Sequence, residues 1–195
     1  MKKIIYIIIL FINLNLNSQT NYSEAYFASG CFWCVESIYE SLNGVSEVQS
    51  GYSGGNTKNP DYYQVLTGKT GHAETVKVIY DSKKISFKKL FEVFFASHDP
   101  TTLNRQGPDI GTHYRSIAFY KNDSEKNIIK NEIQRLLDNK IYKRIVTEVT
   151  KFEIFYIAED YHQDYKINNP NNPYIWKVSV PRINDFKKKF PELLK

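Results

Sequence analysis

The chain of 195 residues has only two cysteines, Cys31 and Cys34, and that scarcity excludes a fold held by a network of disulfides. No apolar run reaches the 18 residues that a membrane-spanning helix needs. Nine glycines and seven prolines fall short of collagen-like or linker-like composition, and no stretch repeats at a fixed period. The four histidines, His72, His98, His113 and His162, are scattered without finger-like spacing, which argues against a structural tetrahedral zinc site. No cysteine follows the amino-terminal apolar stretch to accept a lipid.

What is present is an apolar, aromatic-rich chain. Hydrophobic residues make up 42% and aromatics 15%, enough to repay chain ordering in a folded core. Lys2 and Lys3 precede a mostly apolar segment, Ile4 to Ile12, which fades into an Asn/Leu alternation ending at Ser18. This is the pattern of a signal peptide over residues 1–18, followed by a single domain over 19–195. An exported protein, periplasmic or extracellular, is therefore expected; a leader that does not function would leave it cytoplasmic. Asn13, Asn15 and Asn17 leave the apolar stretch too short for stable membrane insertion after cleavage. Cleavage takes two of the 26 basic residues and none of the 21 acidic ones, so the remainder is only mildly basic. Its lysines read as solvated helix faces, and no nucleic-acid partner is expected.

The periodicities predict a strand over residues 25–29, then a helix over 32–42. A glycine-rich turn over 51–55, a loop over 56–70 and a strand over 74–80 follow. Ser86 is placed as the cap of a helix whose Phe87, Leu90, Phe91, Phe94 and Phe95 form a core stripe. A long loop over 99–111 leads to a strand over 116–120, a helix capped by Asp123 or Ser124, and strands over 146–149 and 152–157. The order β-α-β-β-α-β predicts an α+β protein, a ferredoxin-like two-layer sandwich with a mixed sheet and long loops.

The two cysteines are three residues apart, after Gly30 and at a predicted helix start. A thiol there meets unsatisfied N–H groups and the positive helix end, which predicts a lowered pKa and makes Cys31 the expected nucleophile. Cys34, one turn later, can reach it to form a disulfide after oxidation. A structural bridge over so short a loop would restrict the unfolded chain little. Three alternatives remain at this level: a thioredoxin-like disulfide oxidoreductase, a structural disulfide, and a non-enzymatic secreted metal-binding domain.

The surrounding residues narrow the choice. Gly30-Cys31-Phe32-Trp33-Cys34-Val35-Glu36 resembles the GCFWxxE motif of the A-type peptide methionine sulfoxide reductases. Gly51-Tyr52-Ser53-Gly54-Gly55, Asn59-Pro60-Asp61-Tyr62, Gly71-His72-Ala73-Glu74, His98-Asp99-Pro100-Thr101, the run Asn104 to Ser116 and Ala158 to Gln163 match further motifs in family order. The resemblance covers about residues 25 to 175 and implies reduction of the S epimer of methionine sulfoxide, free or protein-bound. It implies Cys31 as nucleophile, Glu74 as acid, Phe32 and Trp33 as the wall for the substrate methyl, Tyr62 and Tyr114 as donors to the sulfoxide oxygen, and Asp109 as a positioning group. His162 and Asp160 are expected in supporting roles. No bound cofactor and no metal are implied; the reductant is an external dithiol, thioredoxin or an exported thioredoxin-like protein, and the enzyme is expected to act as a monomer.

One departure stands out: many family members have Gly where this chain has Cys34 and recycle through cysteines near the carboxyl end. The segment from Asn172 to Lys195 has none, so recycling must use Cys34 or proceed directly from the sulfenic acid.

Overall fold

The structure is a computed structural model that describes residues 22–195; the expected signal peptide lies outside the described residues. Strand β1 (Tyr22–Ser29) leads through Gly30 into helix α1 (Phe32–Glu40), and β2 (Val45–Ser53) and β3 (Ala73–Asp81) follow, with a short helix α2 (Tyr62–Leu66) between them. Next come α3 (Phe87–Ala96), a small hairpin of β4 (Arg105–Gln106) and β5 (Asp109–Ile110), and β6 (Ser116–Tyr120). Helix α4 (Asp123–Asp138), strands β7 (Glu148–Lys151) and β8 (Phe155–Ile157), a short α5 (Tyr165–Asn168) and α6 (Val180–Lys189) complete the chain.

The main sheet runs β7-β6-β1-β3-β2-β8. Its four inner strands pair antiparallel in the order β6-β1-β3-β2, and with α1 and α3 in sequence between them they form the predicted β-α-β-β-α-β sandwich. β7 pairs parallel to β6 across the α4 crossover, so the sheet is mixed. Helix α3 shows why this layer is stable: Phe87, Leu90, Phe91, Phe94 and Phe95 are all buried against Phe27 and its neighbours. Each such Phe contributes roughly 1.5–3 kcal/mol of transfer free energy. The opposite sheet face presents Tyr26, Ala28, Ile117 and Phe119, which Phe152 and Phe155 cover.

Several expected boundaries shift for local reasons. Residues 51–53 continue β2 instead of turning and pair with β8, whose Phe155 ring and Tyr156 carbonyl occupy the space a Cβ at Gly51 would need. The glycine thus permits close strand approach. Asn122 caps α4, accepting from the Glu125 N–H, in place of Asp123 or Ser124. Val146 lies outside β7 because its N–H bonds to the Pro100 carbonyl. The loop expected over 56–70 contains α2, closed by a capping box between Asp61 and Gln64.

Candidate active site

Residues from five parts of the chain meet at the amino end of α1. A cavity of about 340 Å³ is lined by Cys31, Phe32, Trp33, Tyr62, Glu74, Asp109, Tyr114, Asn172 and Tyr174. Seven of the eight residues proposed from sequence therefore share one wall. The eighth, Cys34, lies fully buried behind it.

Glu74 arrives from the start of β3 and is only 2% exposed. Its Oε2 accepts the Phe32 backbone N–H at 3.0 Å, one of the orphan donors at the start of α1. That bond favours the carboxylate, yet burial outweighs it and the pKa is raised to about 8, with the charges of Asp109 and Cys34 adding to the rise. Glu74 is therefore chiefly protonated at neutral pH, an acid with a proton to give.

The tyrosine hydroxyls are kept as donors by the same surroundings. Burial, then the charges of Glu74 and Cys31, push the Tyr62 phenol well above its ordinary value. For Tyr114 burial leads again, followed by Glu74 and Tyr62. Tyr62 is held from behind, where Glu159 accepts its backbone N–H at 2.8 Å and the Tyr52 hydroxyl at 2.8 Å.

The aromatic wall is packed from several directions. Phe32 is 1% exposed and lies against the rings of Tyr52, Tyr62 and His162. Trp33 stacks on Tyr165 with ring centroids 3.6 Å apart, and its indole N–H donates to His162 Nδ1 at 3.1 Å. Since the indole can only donate, His162 must be neutral with its proton on Nε2. Burial agrees, holding the His162 pKa down at about 4. Such a slot takes a small apolar group and suits contact with polarizable sulfur.

The thiol state expected from the helix end is corrected here. Cys31 stands at the N-cap of α1, but its side chain makes no capping hydrogen bond. The Phe32 N–H that could have stabilised a thiolate goes to Glu74 instead. Burial, followed by the hydrogen bond and charge of Cys34, raises the Cys31 pKa well above the usual thiol value, so Cys31 rests as a thiol. Cys34 shifts the other way: its hydrogen bond with Cys31 is the largest cause, and Arg182 and Ser179 assist against burial. The opposed shifts favour the inner sulfur as the more acidic of the two, and both cysteines are free.

Asp109 touches the site through a relay. Tyr174 donates to Asp109 Oδ2 at 2.6 Å and lines the cavity together with Cys31. Sequence reasoning missed Tyr174 and Asn172, which follow the last motif and belong to no apolar periodicity. It also missed Ser179 and Arg182, which approach Cys34 from the carboxyl-terminal helix. Among the described residues, no group of three or more His, Cys, Asp or Glu side chains could hold a metal ion.

Comparison with known proteins identifies the family. The family model "Peptide methionine sulfoxide reductase" matches residues 23–194. A protein from Trichodesmium erythraeum named peptide methionine sulfoxide reductase MsrA is 51% identical over 164 residues, covering 84% of this chain and 93% of its own length. One of the same name from Saccharolobus solfataricus is 47% identical over 171 residues, covering 88% and 96%. Among solved structures, reduced Mxr1 from Saccharomyces cerevisiae superposes with a TM-score of 0.73 at 33% identity, covering 79% of this chain and 89% of that one. Mxr1 in complex with Trx2 superposes with a TM-score of 0.54 at 26% identity, covering 75% and 86%. The chain belongs to the peptide methionine sulfoxide reductase family, and it is an oxidoreductase of the A type that these relatives represent.

Proposed function

We propose that this enzyme reduces the S epimer of methionine sulfoxide, free or within oxidised proteins, by attack of Cys31 on sulfur. The observation that carries the reading is the convergence of one thiol, one protonated carboxyl and two protonated phenols on a single aromatic-walled cavity. In this reading Phe32 and Trp33 enclose the S-methyl group while Tyr62, Tyr114 and Glu74 face the oxygen.

As Cys31 attacks, its own proton passes along its hydrogen bond to Cys34, which rests as the thiolate. The oxygen moves from the substrate to Cys31 and takes a proton from Glu74. Methionine departs, and Cys31 is left as a sulfenic acid. Cys34 then loses its proton and attacks that sulfur; the S–S bond forms as the S–O bond breaks, and water leaves. An external dithiol reduces the Cys31–Cys34 disulfide, returns two protons to the pair, and one of these restores Glu74.

Thioredoxin or a similar dithiol protein is the proposed reductant, supported by the similarity of this chain to Mxr1, solved in complex with Trx2. If the leader directs export, the donor is an exported thioredoxin-like protein at the periplasm or cell surface, acting on a monomeric enzyme freed of residues 1–18. Chirally pure methionine sulfoxides with dithiothreitol as reductant test the assignment. Turnover of the S epimer alone, lost in Cys31→Ser, is expected; equal turnover of both epimers would overturn it.

A further inference from the structure

The mechanism above needs Cys34 to be ionised and held in place, although it is buried completely. Burial opposes ionisation unless donors or a cation accompany the sulfur. Both arrive from one place, the carboxyl-terminal helix. Ser179 Oγ lies 3.0 Å from Cys34 Sγ and is itself fully buried. Arg182, one turn on, has a fixed guanidinium: Nε donates to the Ser97 carbonyl at 2.6 Å and Nη2 to the Ser29 carbonyl at 2.8 Å. Its Nη1 lies 3.5 Å from the place a Cβ would occupy at Gly30, next to the first cysteine.

The local helix geometry bears on how Ser179 is placed. Residues Ile175–Ser179 form a π-helical turn running directly into α6. Pro181, at the second position of α6, lacks the N–H that would continue the regular i→i−4 ladder, and a wider turn accommodates that loss. Ser179 ends this widened turn, facing Cys34.

We propose that Ser179 and Arg182 are positioning residues that hold Cys34 as the thiolate and aim it, making the carboxyl-terminal helix part of the machinery that resolves the sulfenic acid. The proposal rests on the reading that Cys34 is the resolving thiol. The Ser179 hydroxyl donates to the sulfur, and the anchored, part-buried guanidinium supplies positive charge. The other groups facing Cys34 are the Cys31 thiol at the start of α1, which also donates, the Tyr174 phenol, and the carboxyls of Asp109 on the β4–β5 hairpin and Glu74 on β3, which oppose ionisation when charged. Resolution forms the Cys31–Cys34 bond and releases the sulfenic oxygen as water; Cys34 sulfur is oxidised and Cys31 sulfur is reduced.

The test uses the full chain with both cysteines. Thiolate absorbance in the ultraviolet is titrated against pH under reducing conditions. Thiol loss is then timed against methionine release in a single turnover without reductant. Ser179→Ala is expected to move the first thiolate midpoint to higher pH and to slow disulfide closure about ten-fold relative to methionine release, the effect of losing one charge-assisted hydrogen bond. Ser179→Thr is expected to restore both and the isosteric Ser179→Val is not, a contrast that separates the hydroxyl from packing. Arg182→Gln should shift the midpoint in the same direction, with Arg182→Lys closer to the parent. An unchanged midpoint and closure rate in Ser179→Val and Arg182→Gln would overturn the proposal. A parent enzyme that releases methionine without losing two thiols would instead overturn the resolving role of Cys34.

Discussion

Two buried glutamates of this protein have the same raised pKa and opposite settings. Glu74 and Glu36 are 2% and 1% exposed, and burial lifts each to about 8. Glu74 faces the cavity beside Cys31, with the Phe32 N–H on one oxygen. Glu36 lies further along α1, where its Oε1 accepts from Ser50 Oγ at 3.1 Å, the Asp164 backbone lies near enough to oppose the rise, and Oε2 has no hydrogen-bond partner. The nearby Glu40 is raised to about 7, chiefly by burial and then by its hydrogen bond with Asp164. The contrast teaches that a perturbed carboxyl marks a catalytic acid only when it also borders space for a substrate and a group to work with. Glu36 has neither, and fastens α1 to the segment that carries Tyr165.

Substitution should pull the two apart. Glu74→Gln keeps an acceptor for the Phe32 N–H and removes the transferable proton, so single-turnover methionine release is expected to fall about 10²-fold, the usual scale of general-acid catalysis. Glu36→Gln should leave that rate near the parent value. Comparable losses in both would erase the distinction.

The pH profile sharpens the comparison. The reaction needs protonated Glu74, so methionine release should decline as pH rises through about 8. That limb should disappear in the weakly active Glu74→Gln and persist in Glu36→Gln.

The smallest effect is on stability. A carboxyl whose folded pKa is raised binds more protons in the native state than in the unfolded one between its model value of 4.5 and about 8. Its stabilising contribution is complete below that window and is lost as pH rises through it. Glu36→Gln is therefore expected to flatten part of the stability loss between those limits, with Glu40 keeping its share up to about 7. At pH 8, denaturant unfolding should show the variant more stable by about 1 kcal/mol, allowing for the amide lacking the partner that Oε2 also lacks. A variant less stable than the parent at that pH would show that Glu36 is held as a useful charge.

Much of this arrangement was legible in the chain because its signals are local. The Phe stripe of α3 and the strand alternations are short-range patterns, and the cavity residues from Cys31 to Tyr114 lie inside recognisable motifs. Two kinds of fact were not legible. Cys31 looks activated when only the helix end is considered, but its burial and the diversion of the Phe32 N–H to Glu74 depend on β3 docking from 42 residues away. Tyr174, Ser179 and Arg182 lie beyond the motifs, on a helix that opens with a π turn and carries Pro181. No simple amphipathic period announces them.

The bond between Glu74 and the start of α1 also shapes the energy of proton donation. At rest a neutral carboxyl accepts a backbone N–H, a modest interaction. Once the proton has gone, the same geometry joins an anion to the positive end of a helix dipole, a stronger and shorter kind of contact. The helix terminus is thus set in advance for the charge that the reaction creates, and the scaffold stabilises the conjugate base at the moment the oxygen departs.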